Sequence, residues 1–102
     1  FIIIIMSNPY NNKELLSKVQ RKAKKLGVIV KPSTRKNKKL DVFKNDKKIA
    51  SIGDTRYKDF LLYSQEDKKK AKKRRLLYRL RHAKDLKNSK KGPGYYAYYI
   101  LW

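Results

Sequence analysis

The residues able to do chemistry are few, and most of them are positively charged. The chain has one histidine, His82, and no cysteine, so a thiolate zinc site, a cysteine nucleophile and a disulfide framework are all excluded. His82 follows Arg81 in a basic stretch, where it reads as a structural or phosphate-contacting group rather than a general base. Asp54 and Asp59 are isolated acids among cations; they read as ion-pair partners of Arg79 or Arg81 and not as metal ligands. No glycine-rich phosphate loop and no pair of carboxylates at a recognisable spacing is present, which are the usual signs of phosphoryl-transfer or acid–base chemistry. The expectation is a protein without enzymatic activity, metal, cofactor or small-molecule substrate.

What the sequence offers instead is charge. Twenty-nine Lys and Arg stand against 8 Asp and Glu in 102 residues, a formal net charge of +21. Self-repulsion of that size opposes compaction, and a bound polyanion relieves it. The densest part, Ser64 to Lys91, holds 13 Lys and Arg and 3 acids; like charges on adjacent helical turns destabilise a helix, so a helix that tolerates them is expected to meet an anion. Lys36, Lys38, Lys39, Lys69, Lys72, Lys73, Arg74, Arg75, Arg79, Arg81 and His82 are the candidate contacts. Their run lacks the Asn, Gln and Arg alternation of a base-reading helix, which points to the phosphate backbone of DNA or RNA. Tyr57, Phe60, Tyr63 and the closing tyrosines are either stacking platforms for single strands or, more simply, core and interface residues.

The elements that must position these groups can be read from pattern. Asn12 precedes Leu15, Leu16, Val19, Ala23 and Leu26 at helical spacing, with Gly27 beyond: an N-cap, an amphipathic helix over 13–26 and a glycine stop. Val28-Ile29-Val30 reads as a short strand ended by Pro32, and Ser33 to Lys39 as a polar basic loop. Leu40 to Phe43 and Ile49 to Ile52, separated by Lys44-Asn45-Asp46-Lys47-Lys48, predict a β-hairpin. For residues 55–63, loop and short helix stay open. Ser64-Gln65-Glu66-Asp67 has the spacing of a capping box, which predicts a long basic helix from about residue 65 to 86. A basic linker, Asn88 to Gly94, leads into Tyr95 to Trp102, where a short helix places Tyr95, Tyr98, Tyr99 and Trp102 on one face and Tyr96 and Leu101 on another. Tyr95, Tyr96, Tyr98, Tyr99 and Trp102 are the candidate partner interface, because this segment has more apolar surface than a short tail buries alone.

The expected fold is therefore α+β: a two- or three-stranded antiparallel sheet over residues 28–52, packed with an N-terminal helix, a long basic helix and a short aromatic C-terminal helix. Leu16, Val19, Val28, Val30, Val42, Phe43, Ile49, Ile52, Leu77 and Leu80 form its expected core. Residues 13–102 make one small basic domain, and residues 1–12 an apolar leader and N-terminal segment. The run Phe1 to Met6 is far short of the roughly 20 residues that span a bilayer and lacks the features of a signal peptide, so neither membrane insertion nor secretion is expected. Met6 reads as a plausible true initiation site, with residues 1–5 a translated leader or the numbered chain a fragment; the alternative is a buried strand over Ile2 to Ile5.

Several separated strings carry a resemblance. They are Lys31-Pro32-Ser33-Thr34-Arg35-Lys36-Asn37-Lys38-Lys39-Leu40-Asp41-Val42, Ile52-Gly53-Asp54-Thr55-Arg56-Tyr57-Lys58-Asp59-Phe60, Tyr78-Arg79-Leu80-Arg81-His82, Gly92-Pro93-Gly94-Tyr95-Tyr96 and Tyr99-Ile100-Leu101-Trp102. In this order, over residues 22–102, the chain resembles a family of small, basic, uncharacterised proteins encoded by giant nucleocytoplasmic large DNA viruses and some large phages. The resemblance implies a viral protein located in the virion or the infected host cell, with Gly53, Tyr57 and Asp59 as structural residues that join Arg81 and His82 in one structural or anion-binding cluster. It supplies no catalytic residues. Members continue beyond the Leu-Trp pair, which implies truncation at Trp102. The expected function is sequence-nonspecific binding of the viral genome; the alternative is a minor capsid or other virion structural protein bound to acidic faces of capsid subunits.

Overall fold

The computed structural model describes residues 8–86 and 91–102, apart from the side chain of Asp85. The apolar run Phe1 to Met6 and the Asn88-Ser89-Lys90 part of the linker lie outside the described residues.

A 3-10 turn, Pro9–Asn11, leads into helix α1, Lys13–Lys25. Asn12 is the N-cap as the sequence predicts: its side-chain oxygen accepts from the backbone N–H groups of Glu14 at 2.9 Å and Leu15 at 3.1 Å, satisfying donors that have no partner inside the helix. Leu15, Val19 and Ala23, four residues apart, form its buried stripe. Gly27 follows at φ +76°, the left-handed conformation that ends a helix most easily without a Cβ.

Strands β1, Ile29–Pro32, β2, Lys38–Lys44, and β3, Lys47–Asp54, form an antiparallel meander in the order β1-β2-β3. The β2–β3 turn is tighter than the five-residue loop the sequence suggests: Asn45 and Asp46 both take positive φ, 52° and 62°, and Lys44 pairs with Lys47. Two such residues match the right-handed twist of a hairpin. Val30, Leu40, Val42, Ala50 and Ile52 face the core together with α1 and with Tyr96, Ile100 and Leu101 of the C-terminal segment.

Helix α2, Phe60–Glu66, forms in the segment whose periodicity fits loop and helix alike, and α3 runs over Lys68–His82 before a 3-10 turn, Ala83–Leu86. The expected capping box is not formed. Ser64 lies inside α2 and donates back to the Phe60 carbonyl at 2.7 Å, while Asp67, extended at φ −158°, caps α3 by accepting from Lys69 N–H at 2.9 Å. One aspartate thus ends α2 and starts α3. The last helix is α4, Pro93–Ile100.

Three members of the expected core lie outside it. Ile49 is 41% exposed because Val42 pairs with Ala50 and Phe43 with Lys48; Ile49 is the extra residue of a β-bulge. Leu77 and Leu80 are 43% and 67% exposed, since α3 packs through Ala71, its one fully buried residue, and leaves its leucines outside. Tyr10, Leu15, Leu40, Ala50, Tyr96, Ile100 and Leu101 fill the core in their place, with Leu16 and Phe43 only half-buried.

Candidate nucleic-acid interface

The site is organised around a buried ion pair. Lys39 and Asp59 are 2% and 1% exposed, with Lys39 Nζ 3.0 Å from Asp59 Oδ2. The Tyr10 hydroxyl donates to the same oxygen at 2.6 Å, and the other carboxylate oxygen accepts from Leu62 N–H at 3.2 Å, which makes Asp59 the N-cap of α2. Burial, reinforced by the charge of Asp59 and the hydrogen bond to it, pushes the Tyr10 phenol far above its usual value. Asp59 is therefore fully occupied by Lys39, Tyr10 and α2.

Gly53 makes room for this arrangement. The ladder puts it opposite Lys39, between the pairs Lys38 with Asp54 and Leu40 with Ile52. It sits at φ +78°, and a Cβ there would lie 2.8 Å from Leu101 Cδ1 and 2.9 Å from Lys39 Cδ. Such distances are well inside van der Waals contact, so only glycine lets the Lys39 stem and Leu101 close over the strand.

Above this floor opens a cleft of about 670 Å³, walled by the β3–α2 connection, α3 and the C-terminal segment. Arg74, Leu77, Tyr78 and Arg81 recur at helical spacing and present one face of α3 to it. Tyr78 stacks on Trp102 with ring centroids 4.4 Å apart and planes 9° apart, and on His82 at 4.2 Å. The three rings form a fixed wall. Tyr63, also lining the cleft, has Lys58, Lys70 and Arg74 over its ring at 5.9, 5.7 and 5.6 Å. Tyr57, 68% exposed, stands at the β3–α2 side.

The acids at the rim are already paired. Asp54 accepts from the Arg56 guanidinium at 2.8 Å and from Arg56 N–H at 2.9 Å, and these bonds hold its carboxyl down at about 2. Lys58 pairs with Glu66, whose carboxyl falls below its usual value through the hydrogen bond from Lys58. The expected pairing of Asp54 and Asp59 with Arg79 or Arg81 is thus replaced by Arg56, two residues beyond Asp54 at the end of β3, and by Lys39 of β2.

On the other side of α2, Lys22 and Arg75 approach the Phe60 ring at 5.6 and 4.0 Å. Burial, and then Arg75, Arg79 and Lys25, lower the Lys22 ammonium below its usual value, with Asp59 opposing them. Arg79 donates to the Trp102 carbonyl at 3.0 Å, and its Nε is buried without a partner among the described residues. Among those residues, no acid lies within salt-bridge distance of Lys22, Arg75 or Arg79.

The sequence-predicted contacts divide accordingly. Lys36, Lys69, Lys72, Lys73, Arg74 and Arg81 are exposed; Lys38, Arg75, Arg79 and His82 are half-buried. Lys39 is not a surface contact: its ammonium is held inside the fold by Asp59. Tyr96, expected at a partner interface, is 3% exposed and belongs to the core, whereas Tyr99 is 41% exposed and Tyr95, Tyr98 and Trp102 are half-buried. Gly53, Tyr57, Asp59, Arg81 and His82, the expected cluster, all line the same cleft. Its other walls, Lys58, Tyr63, Leu77, Tyr78 and Trp102, do not stand out in the sequence as members of that cluster; the spacing of 74, 77, 78 and 81 carries the signal for α3. No known protein family matches the chain, nor does any curated protein or solved structure.

Proposed function

We propose that this chain is a non-enzymatic, sequence-nonspecific nucleic-acid-binding protein that holds phosphate backbones along α3. One observation carries the reading: among the described residues, none of the nine Lys and Arg of α3, Lys68, Lys69, Lys70, Lys72, Lys73, Arg74, Arg75, Arg79 and Arg81, has an acidic partner within salt-bridge distance. Among the described residues, the acids that form ion pairs do so elsewhere, with Lys39, Lys48, Arg56 and Lys58. Phosphates would balance the charge of α3 and release condensed counterions. The helix holds no Asn or Gln to read base edges, which favours backbone contacts. Asp54 and Asp59, fully paired, are poor candidates for metal-assisted hydrolysis. Among the described residues no helix is long and apolar enough to cross a membrane. The family resemblance supports a viral genome as the nucleic acid, bound in the virion or the infected cell.

The test is binding of a duplex and of a single strand across a salt series, beside a charge-matched polylysine. Binding should exceed the polylysine at physiological salt. In Lys69→Gln/Lys72→Gln/Lys73→Gln the log–log salt slope should become shallower by about 0.9 for each duplex phosphate that is no longer neutralised. Behaviour equal to the polylysine control would refute the proposal.

A second reading, a minor capsid protein on an acidic capsid face, is favoured by the exposure of Leu76, 59%, and Leu80, 67%, because phosphates gain nothing from leucines. It requires stoichiometric incorporation into particles.

A further inference from the structure

The cleft sets exposed leucines and an exposed tyrosine beside its cations. A duplex backbone laid along α3 would use Lys69, Lys72 and Lys73, but it has no use for Tyr57, Leu77 and Leu80, which together expose large apolar surface at the cleft. Bases within a duplex are stacked on one another, so they cannot reach such walls; an unpaired base can. From this combination we infer that the cleft takes one unstacked nucleotide of a single strand, its base between Tyr57 and the Leu77–Leu80 wall and its phosphate toward Arg74 and Arg81.

Three properties of the cleft support this. At about 670 Å³ it lies within the size range of small-ligand sites. The carboxylates that line it do not compete for Arg74 and Arg81, since among the described residues Asp59 is held by Lys39 and Tyr10 and Asp54 by Arg56. One of its walls is built before any ligand arrives: Tyr78 stacks on both His82 and Trp102, so that these three side chains lose little freedom on binding. The inference rests on the proposed binding of nucleic acid and adds to it a preference for unpaired strands, located at a place other than the lysine-rich face.

Trp102 is the single tryptophan of the chain and lines the cleft, so its fluorescence reports on occupancy. The experiment titrates the full chain with a labelled oligo(dT) and with a duplex of equal length, reading anisotropy and Trp102 emission together. Oligo(dT) should change Trp102 emission to saturation, whereas the duplex should raise anisotropy and leave the emission as it was. Tyr57→Ala should weaken oligo(dT) binding about ten-fold, the size of one base–aromatic stack, with duplex affinity and thermal midpoint unchanged because Tyr57 is mostly exposed. If oligo(dT) binds without affecting Trp102, or if Tyr57→Ala weakens both substrates equally, the cleft assignment is overturned while backbone binding along α3 stands. If neither substrate binds beyond the polylysine control, both readings fall. Displacement of oligo(dT) from the cleft by an acidic amphipathic peptide at lower concentration would assign the cleft to a protein and overturn the nucleotide.

Discussion

Lys39 and the lysines of α3 are the same residue type in opposite situations. Lys39 is removed from water, paired with Asp59 and packed over Gly53; Lys69, Lys72 and Lys73 stand exposed, with no acid within salt-bridge distance among the described residues. In the first case the charge is satisfied within the fold, so its loss should be felt as stability. In the second the charge is left for something outside, so its loss should be felt as binding. High net charge alone does not distinguish the two.

Removing the buried acid should have the largest effect. Asp59→Ala strands Lys39, unpairs the Tyr10 hydroxyl and uncaps α2, and a buried charge left without its partner costs about 3–5 kcal/mol. Against a total stability of roughly 5–15 kcal/mol for a native domain, urea unfolding should show a chain close to its folding threshold. Lys39→Met combined with Asp59→Asn, which keeps a cap and a partner for Tyr10, should recover much of the loss; failure to recover would mean that the ion pair itself, not the stranded charge, holds the fold.

Gly53→Ala comes next, at about 2–3 kcal/mol, from a Cβ driven into Leu101 and Lys39 at a left-handed φ. A thermal midpoint within a degree of the parent would contradict the close packing of Lys39 against this strand. Asp41 tests the same principle elsewhere in the sheet. Burial pushes its carboxyl up, but hydrogen bonds from Ser33, Ser51 and Thr34 and the nearby Lys48 outweigh it, and the net shift is downward. Because the folded value lies below the unfolded one, this stabilisation is complete above about pH 3.9 and is lost as pH falls through the folded value. Asp41→Asn should cost about 1–3 kcal/mol at neutral pH and flatten the acid limb of the stability curve followed by circular dichroism.

The smallest change in stability is expected from the triple glutamine variant of α3. Lys69 and Lys72, and Lys69 and Lys73, are like-charged neighbours on adjacent turns, and relieving each pair should raise stability by about 0.2–0.5 kcal/mol. A destabilised triple variant with unaltered salt dependence would erase the contrast, since those lysines would then belong to the fold rather than to a partner.

Much of this molecule is legible in local pattern. The Asn12 cap, the Leu15–Val19–Ala23 stripe, the Gly27 stop and the hairpin around Asn45-Asp46 follow from residue types within a few positions of one another, and the α+β architecture follows from them. The stretch over residues 60–82 is less legible, because the acids at 66 and 67 fit both a capping box and a break; the extended backbone of Asp67 chose the break. Gly53, Tyr57, Asp59, Arg81 and His82, far apart in the chain, line one cleft, and the aromatic walls that complete it have no local signature.

The sequence by itself determined the excess of positive charge, the scarcity of catalytic side chains and the elements whose signals are local, since composition and helical or turn spacing need no knowledge of distant residues. Only the tertiary structure decided which cation is buried, which acids are already paired, that Ile49, Leu77 and Leu80 face outward, and that Tyr10, near one end, meets Asp59 beside Leu101, near the other. Those facts depend on contacts between residues far apart in the chain, where a lysine on a strand looks the same in sequence whether an aspartate or water awaits it.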